Sequence, residues 1–133
     1  MSEFQRQVVS TPGAPEAVGN YSQAIVASGS RTLFASGQIG LVPGKPEAGI
    51  PGDVGQQTEQ VMANICAVLA AADMTLANVV RATIYLANID DFGVVDRIYG
   101  ASFEAERYPA RVTIQAAALP KGALVEIDVI AVA

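Results

Sequence analysis

The last 26 residues of the chain, YPARVTIQAAALPKGALVEIDVIAVA (108–133), carry most of the information about the fold. They read as two apolar strands flanking the short turn LPKG (119–122). Side chains alternate across a strand, so Arg111, Thr113 and Gln115 share one face, and Val112, Ile114 and Ala116 the other. In the second strand Leu124, Glu126, Asp128 and Ile130 share a face, opposite the wholly apolar Val125, Ile127, Val129 and Ala131. The simplest pairing is a closing hairpin. In the register that sets odd residues of the first strand against even residues of the second, Arg111, Thr113, Gln115, Glu126 and Asp128 cluster, although sequence alone does not fix that register. A solvated face with a cross-strand ion pair is the plain reading, and such pairs contribute little. Leu124 and Ile130 on the same face argue that it is covered, and a covered charge needs a partner or a ligand.

Upstream, Tyr21 to Ala27 reads as a short strand. A second covers 31–39, with SGS (28–30) as a hairpin turn between them. Gly37 inside the second marks a bulge or a close backbone approach. The Pro- and Gly-rich segment 41–52 predicts a long surface loop. Asp53 predicts an N-cap for a helix over 54–72, where Val54, Thr58, Val61, Ile65, Leu69 and Ala72 recur at spacings of three or four. NVVRATIYLAN (78–88) has the β-branched and aromatic content of a strand. Asp90 or Asp91 predicts the start of a second helix running to about Glu106, with Phe92, Val95, Tyr99, Ser102 and Phe103 as its inner stripe. Pro109 stops it. The predicted order is β-β-α-β-α-β-β, an α+β layered fold with a mixed sheet against two helices. The length of 133 residues suits a single domain over 1–133.

Composition narrows the function. Apolar residues are 51% of the chain and charged ones only 16%, an excess that predicts subunit contacts. The net charge is −5 and the eight Lys and Arg are scattered, which speaks against a nucleic-acid footprint. No histidine is present, so the usual neutral-pH base and the commonest zinc ligand are absent. Cys66 is the only cysteine, so no intramolecular disulfide forms and a reducing compartment fits. The opening MSEFQRQVVS lacks a signal-peptide pattern, and no apolar run approaches the ~18 residues that would suggest a membrane span. A cytoplasmic protein without membrane or nucleic-acid partners is the expectation.

The motifs GNYSQAI (19–25), FASGQIG (34–40), the helix QQTEQVMANICAVLAAA (56–72) and the P-A-R, L-P, V-E-I pattern of the tail together resemble the Rid family, the YjgF-type reactive intermediate deaminases. The resemblance runs over nearly the whole chain in matching order. It implies a chorismate-mutase-like α+β fold and a homotrimer with sites in the clefts between subunits. It also implies hydrolysis of enamines and imines such as 2-aminoacrylate to 2-oxo acids and ammonia, with no cofactor and no metal. By the same resemblance Arg111 holds the substrate carboxylate and Glu126 positions the attacking water. Tyr21 lines the cleft, and Gly37 brings backbone close to the ligand. Arg111 and Tyr21 are expected from neighbouring subunits. Two departures stand out. Thr113 occupies a position where many relatives have cysteine, and Asn20 one where many have proline, a change expected to loosen the loop.

Other candidates carry less. Cys66, near the apolar stripe of the first helix and with no histidine to activate it, reads as a small core residue. PGKPEAGIPG (43–52) lacks phosphate-loop spacing. Tyr85 and Tyr99 read as core or interface packing, and Asp128 as either a rim ion pair or a site residue. The family's other described roles, as ribonuclease or translation inhibitor and as holdase-like chaperone or regulatory ligand-binding protein, form the alternative. A chain with no histidine is poorly equipped for RNA cleavage.

Overall fold

A computed structural model describes residues 3–133. Its elements are β1 (Gln5–Val9), β2 (Ala24–Ser28), β3 (Thr32–Phe34), α1 (Val54–Ala71), β4 (Val79–Leu86), α2 (Phe92–Ala101), β5 (Ala110–Gln115) and β6 (Val125–Val132). The α+β class, the two helices and the mixed sheet are as the sequence predicts. Strand β1 is additional to the predicted order.

Helix α1 begins where the sequence places it. The Asp53 carboxylate accepts from the Gln56 backbone N–H at 2.9 Å, and the Gln56 side chain accepts from the Asp53 N–H at 2.9 Å, a reciprocal capping box. Thr58, Val61, Ile65 and Leu69 form its buried stripe. Helix α2 ends at Ala101, short of Glu106, and Ser102 is exposed at its C-cap. It buries Val95 and Tyr99. The Asp91 side chain makes no cap hydrogen bond, and Asn88 instead caps the 3-10 turn Ile89–Asp91 just before it. Both helices pack on one face of a four-stranded sheet of order β3-β6-β4-β5, closing the core on Ala82, Ile84 and Leu86 of β4 and Val125, Ile127 and Val129 of β6.

Both predicted hairpins are replaced by longer-range pairings. β2 pairs antiparallel with β1 in a separate two-stranded sheet, while β3 pairs with β6. β5 and β6 are not neighbours, because β4 lies between them, parallel to β5 and antiparallel to β6. The reason is topological. Helix α2 makes the β4–α2–β5 crossover that sets two parallel strands side by side. The segment 116–124 is then long enough to carry the chain past β4 to its free edge. Its turn over Pro120–Gly122 places Lys121 in the left-handed region, φ 56°.

Register fixes the faces. Arg111 pairs with Ala82 and Thr113 with Ile84, both buried, so Arg111 and Thr113 point to the helix side. Glu126 pairs with Tyr85 and Asp128 with Thr83, so they point to the opposite face, which neither helix covers. That open face also carries Phe34, Val112 and Ile114, which are 75%, 40% and 45% exposed. Among the described residues no helix is long and apolar enough to cross a membrane.

Candidate functional site

Arg111 is the most constrained charge in the molecule. Its side chain is 2% exposed and forms an ion pair, through Nη1, with Oδ1 of Asp96 on α2. The same Nη1 donates to the Asn20 carbonyl at 3.2 Å. Three aromatic rings surround the guanidinium carbon, Tyr21 at 5.3 Å, Phe92 at 5.5 Å and Tyr99 at 5.2 Å. Desolvated cation–π contacts of this kind contribute about 1–2 kcal/mol each. A guanidinium so far out of water requires a counter-ion, and Asp96 supplies it.

The loop before β2 completes this pocket. The Ser22 N–H donates to the Pro109 carbonyl at 3.1 Å and the Ser22 hydroxyl to the Tyr108 carbonyl at 2.5 Å, lashing the loop to the head of β5. Tyr21 is thereby laid over Arg111 of its own chain. That corrects the expectation that the two come from different subunits. The Asn20 side chain donates to the Asp96 carbonyl at 3.0 Å and packs against Gly100, where any Cβ would collide with it. Asn20 therefore pins the loop to α2. Gly19 lies so close that a Cβ there would be 3.3 Å from Arg111 Nη2.

The resulting cleft, about 300 Å³, is lined by Val18, Tyr21, Phe92, Arg111 and Thr113. The Thr113 hydroxyl is buried with no hydrogen-bond partner among the described residues. The orphan hydroxyl and the guanidinium line the same cleft, and a buried polar group left unpaired is costly. Beneath the cleft, burial pushes the Tyr99 phenol far above its ordinary pKa, only partly offset by Arg111. It is a neutral wall.

Glu126 belongs to a different groove, of about 620 Å³, together with Gly37, Gln38, Leu41 and Pro120. Gln38 bridges antiparallel to Ile127 of β6, which brings Gly37 against the Glu126 carboxylate so tightly that a Cβ at 37 would force that carboxylate to move. Asn64 of α1 holds the following segment by donating to the carbonyls of Ile39 at 3.2 Å and Leu41 at 2.9 Å. Gly37 is thus a close approach, one of the two readings the sequence offered, and the start of the 41–52 loop forms a wall beside Glu126.

The predicted five-residue cluster therefore divides. Arg111, Thr113 and Tyr21 come together, and Glu126 and Gly37 come together, on opposite sides of one sheet. Gln115 joins neither group, because its side chain accepts from the Ile89 N–H at 2.9 Å. Asp128 accepts from the Tyr85 hydroxyl at 2.9 Å on the open face, a bond that raises the Tyr85 pKa. Cys66 is exposed and not a core residue, because it follows Ile65 by one position and so turns about 100° away from the buried stripe. It lines a separate apolar cavity of about 470 Å³ with Met74, Leu76 and Phe103 that contains neither Arg111 nor Glu126. Among the described residues no group of three or more His, Cys, Asp or Glu is arranged to hold a metal ion.

Asp96 was not evident from the sequence as a site residue. The available signal was an acid in the inward stripe of α2, where Phe92, Asp96 and Tyr99 follow at spacings of four and three.

Comparison with known proteins identifies the family. Residues 11–133 match the family model described as endoribonuclease L-PSP. The 2-iminobutanoate/2-iminopropanoate deaminase of Rattus norvegicus is 45% identical over 132 residues, covering 99% of this chain and 93% of that protein. The structure of RidA from the Antarctic bacterium Psychrobacter sp. PAMC 21119 superposes with a TM-score of 0.73 at 39% identity, covering 96% of this chain and 99% of that one. That of E. coli TdcF with bound serine superposes with a TM-score of 0.71 at 34% identity, covering 96% and 98%. A tail that threads a buried arginine and a glutamate onto the two faces of one sheet, and a match over all but the first ten residues, lead to one conclusion: the chain belongs to the Rid family of YjgF-type proteins.

Proposed function

We propose that the protein is a hydrolytic deaminase of 2-aminoacrylate-type enamines and imines, releasing 2-oxo acids and ammonia, and that it works as a homotrimer of single-domain subunits in the cytoplasm. The observation that carries this reading is the Arg111 cleft. Nη1 is taken by Asp96 and Asn20, whereas Nε and Nη2 make no hydrogen bond among the described residues. A planar carboxylate fits that free edge bidentately. Thr113 offers a hydroxyl beside it, and Tyr21 and Phe92 enclose a short carbon chain. The relatives named as 2-iminobutanoate/2-iminopropanoate deaminases support the same substrate class for this chain.

Within one chain Arg111 and Glu126 face opposite ways and cannot share a small ligand. The open sheet face favours a trimer in which neighbouring sheets cover one another's Phe34, Val112 and Ile114. In that assembly the Arg111 cleft of one subunit meets the Glu126 groove of the next. The imine, held by its carboxylate, presents its C=N carbon to a water that Glu126 orients and deprotonates. The water oxygen bonds to carbon and the π electrons move to nitrogen. The proton held by Glu126 then passes to the amine, the C–N bond breaks to release ammonia, and the carbinolamine oxygen forms the C=O of the 2-oxo acid as its hydroxyl proton returns to Glu126 and leaves with ammonia as ammonium. Positioning and one acid/base group suffice for so reactive an electrophile. The proposed chemistry asks nothing of a cofactor or metal.

The test uses 2-aminoacrylate generated in situ by a serine/threonine dehydratase, with 2-oxo acid release followed with and without the protein. We expect acceleration, and we expect Arg111→Ala to abolish it while the oligomer persists. Acceleration that survives the substitution removes Arg111 from this role. Holdase or regulatory activity, in contrast, tolerates the change. RNA cleavage is disfavoured by a net charge of −5 and no histidine.

A further inference from the structure

We propose that Asp96 is a positioning residue and internal counter-ion that makes the Arg111 cleft selective for ligands with a cationic nitrogen next to their carboxylate, over simple carboxylate anions. The inference rests on the reading of Arg111 given above. Asp96 is 15% exposed and the guanidinium it neutralises is 2% exposed, so their pairing is poorly screened. Oδ1 is committed to Arg111, and Oδ2 makes no hydrogen bond among the described residues. A Cβ at Gly19 would lie 3.5 Å from that Oδ2 and 3.3 Å from Arg111 Nη2, which places the free acceptor and the free donor beside the same backbone.

The charge balance follows directly. Within one subunit the cleft holds one cation and one anion, and in the proposed trimer the Glu126 carboxylate of the neighbouring subunit adds another anion. A plain carboxylate ligand brings a further negative charge, which Asp96 repels at close range. A protonated imine carrying a carboxylate is zwitterionic, and its iminium offsets Asp96. The substrate thus adds no net charge to the site, whereas the 2-oxo acid product adds one more negative charge. Asp96 also occupies the Nη1 side of the fork, so a bidentate carboxylate is directed to the Nε/Nη2 edge. The pair therefore favours the reactive, protonated form of the imine and hastens loss of the product.

Stable probes test this. Calorimetric titration compares 2-aminobutanoate with 2-hydroxybutanoate, which share a carbon skeleton and differ in the charge at C2. The native protein is expected to bind the amino acid more tightly, and this arm needs no variant. Asp96→Asn keeps an acceptor for Arg111 and removes the charge. It is expected to tighten the hydroxy acid and shift the ratio of the two affinities by about tenfold or more, the scale of one unit charge acting over a few ångströms in a half-buried site. A native preference for the hydroxy acid, or a ratio unchanged in Asp96→Asn, overturns the inference. Arg111→Ala is expected to lose both probes. If it keeps both, or if the native protein binds neither, the assignment of Arg111 fails and the inference with it. If it loses both while Asp96→Asn leaves the ratio unchanged, only the role of Asp96 fails.

Discussion

Gly37 shows how one side chain, or its lack, sets a functional group. Its Cα faces the Glu126 carboxylate with no room for a methyl group between them. Gly37→Ala must therefore displace either Glu126 or the edge segment held by Asn64. We expect the variant to fold, since the contact lies on the sheet face that neither helix covers, and to lose deaminase turnover by about 10²-fold, the usual scale for a misplaced acid/base group. Circular dichroism and the 2-aminoacrylate assay check the two halves of that statement. At this scale the sequence was informative where a residue broke a pattern. Arg111 and Glu126 stood out as charges within apolar strands, and Gly37 as a glycine within a strand. Asp96 broke a stripe as well, but an acid on a helix next to Val95 reads as solvent-facing until the helix's rotation on the sheet is known. Cys66 erred the other way, one step off a buried stripe.

At the scale of elements, α2 and β5 hold the cleft together through Tyr99. The ring is fully buried between the sheet and Arg111, and its hydroxyl has no partner among the described residues. A buried hydroxyl without a partner costs about 1–3 kcal/mol. Tyr99→Phe is therefore expected to leave stability unchanged or raise it by about 1 kcal/mol in urea unfolding. The pH dependence has a definite sign. Burial raises the folded-state pKa above the unfolded value, so the contribution from the neutral phenol is complete below the unfolded pKa, near 10. It is lost as pH climbs from there toward the folded pKa. Native protein should lose stability above about pH 10 more steeply than Tyr99→Phe, and equal slopes would remove Tyr99 as the source.

Elements themselves were legible where local chemistry defines them. Asp53 and the 3.6-residue period located α1 to within a residue. QRQVV of β1 was not legible, because its first three residues are polar and its partner β2 lies 15 residues on. Strand adjacency was not legible either. The period of two assigns each side chain to a face but does not name the neighbouring strand. The insertion of β4 between β5 and β6 inverted the face of Arg111 relative to Glu126.

At the scale of the whole molecule, that inversion leaves a single subunit without an arginine and a glutamate in one cleft. One copy presents a carboxylate-binding cleft on one side of its sheet and a glutamate groove on the other, with apolar residues exposed on the open face. This face adds exposed apolar surface to an apolar-rich chain, and in the proposed trimer its burial between copies is the same event that brings the two halves of the site together. The proposed reaction therefore depends on Arg111 and Glu126 acting together across a subunit boundary.

The most direct measurement is a mixing experiment. Arg111→Ala and Glu126→Ala proteins are each prepared, expected to be inactive as separate oligomers, then unfolded together in equal amounts and refolded. Random assembly places an intact arginine beside an intact glutamate at about one boundary in four, so we expect about a quarter of the native activity to return. No recovery beyond that of the separate variants, in oligomers shown to have exchanged subunits, would contradict a site shared between copies.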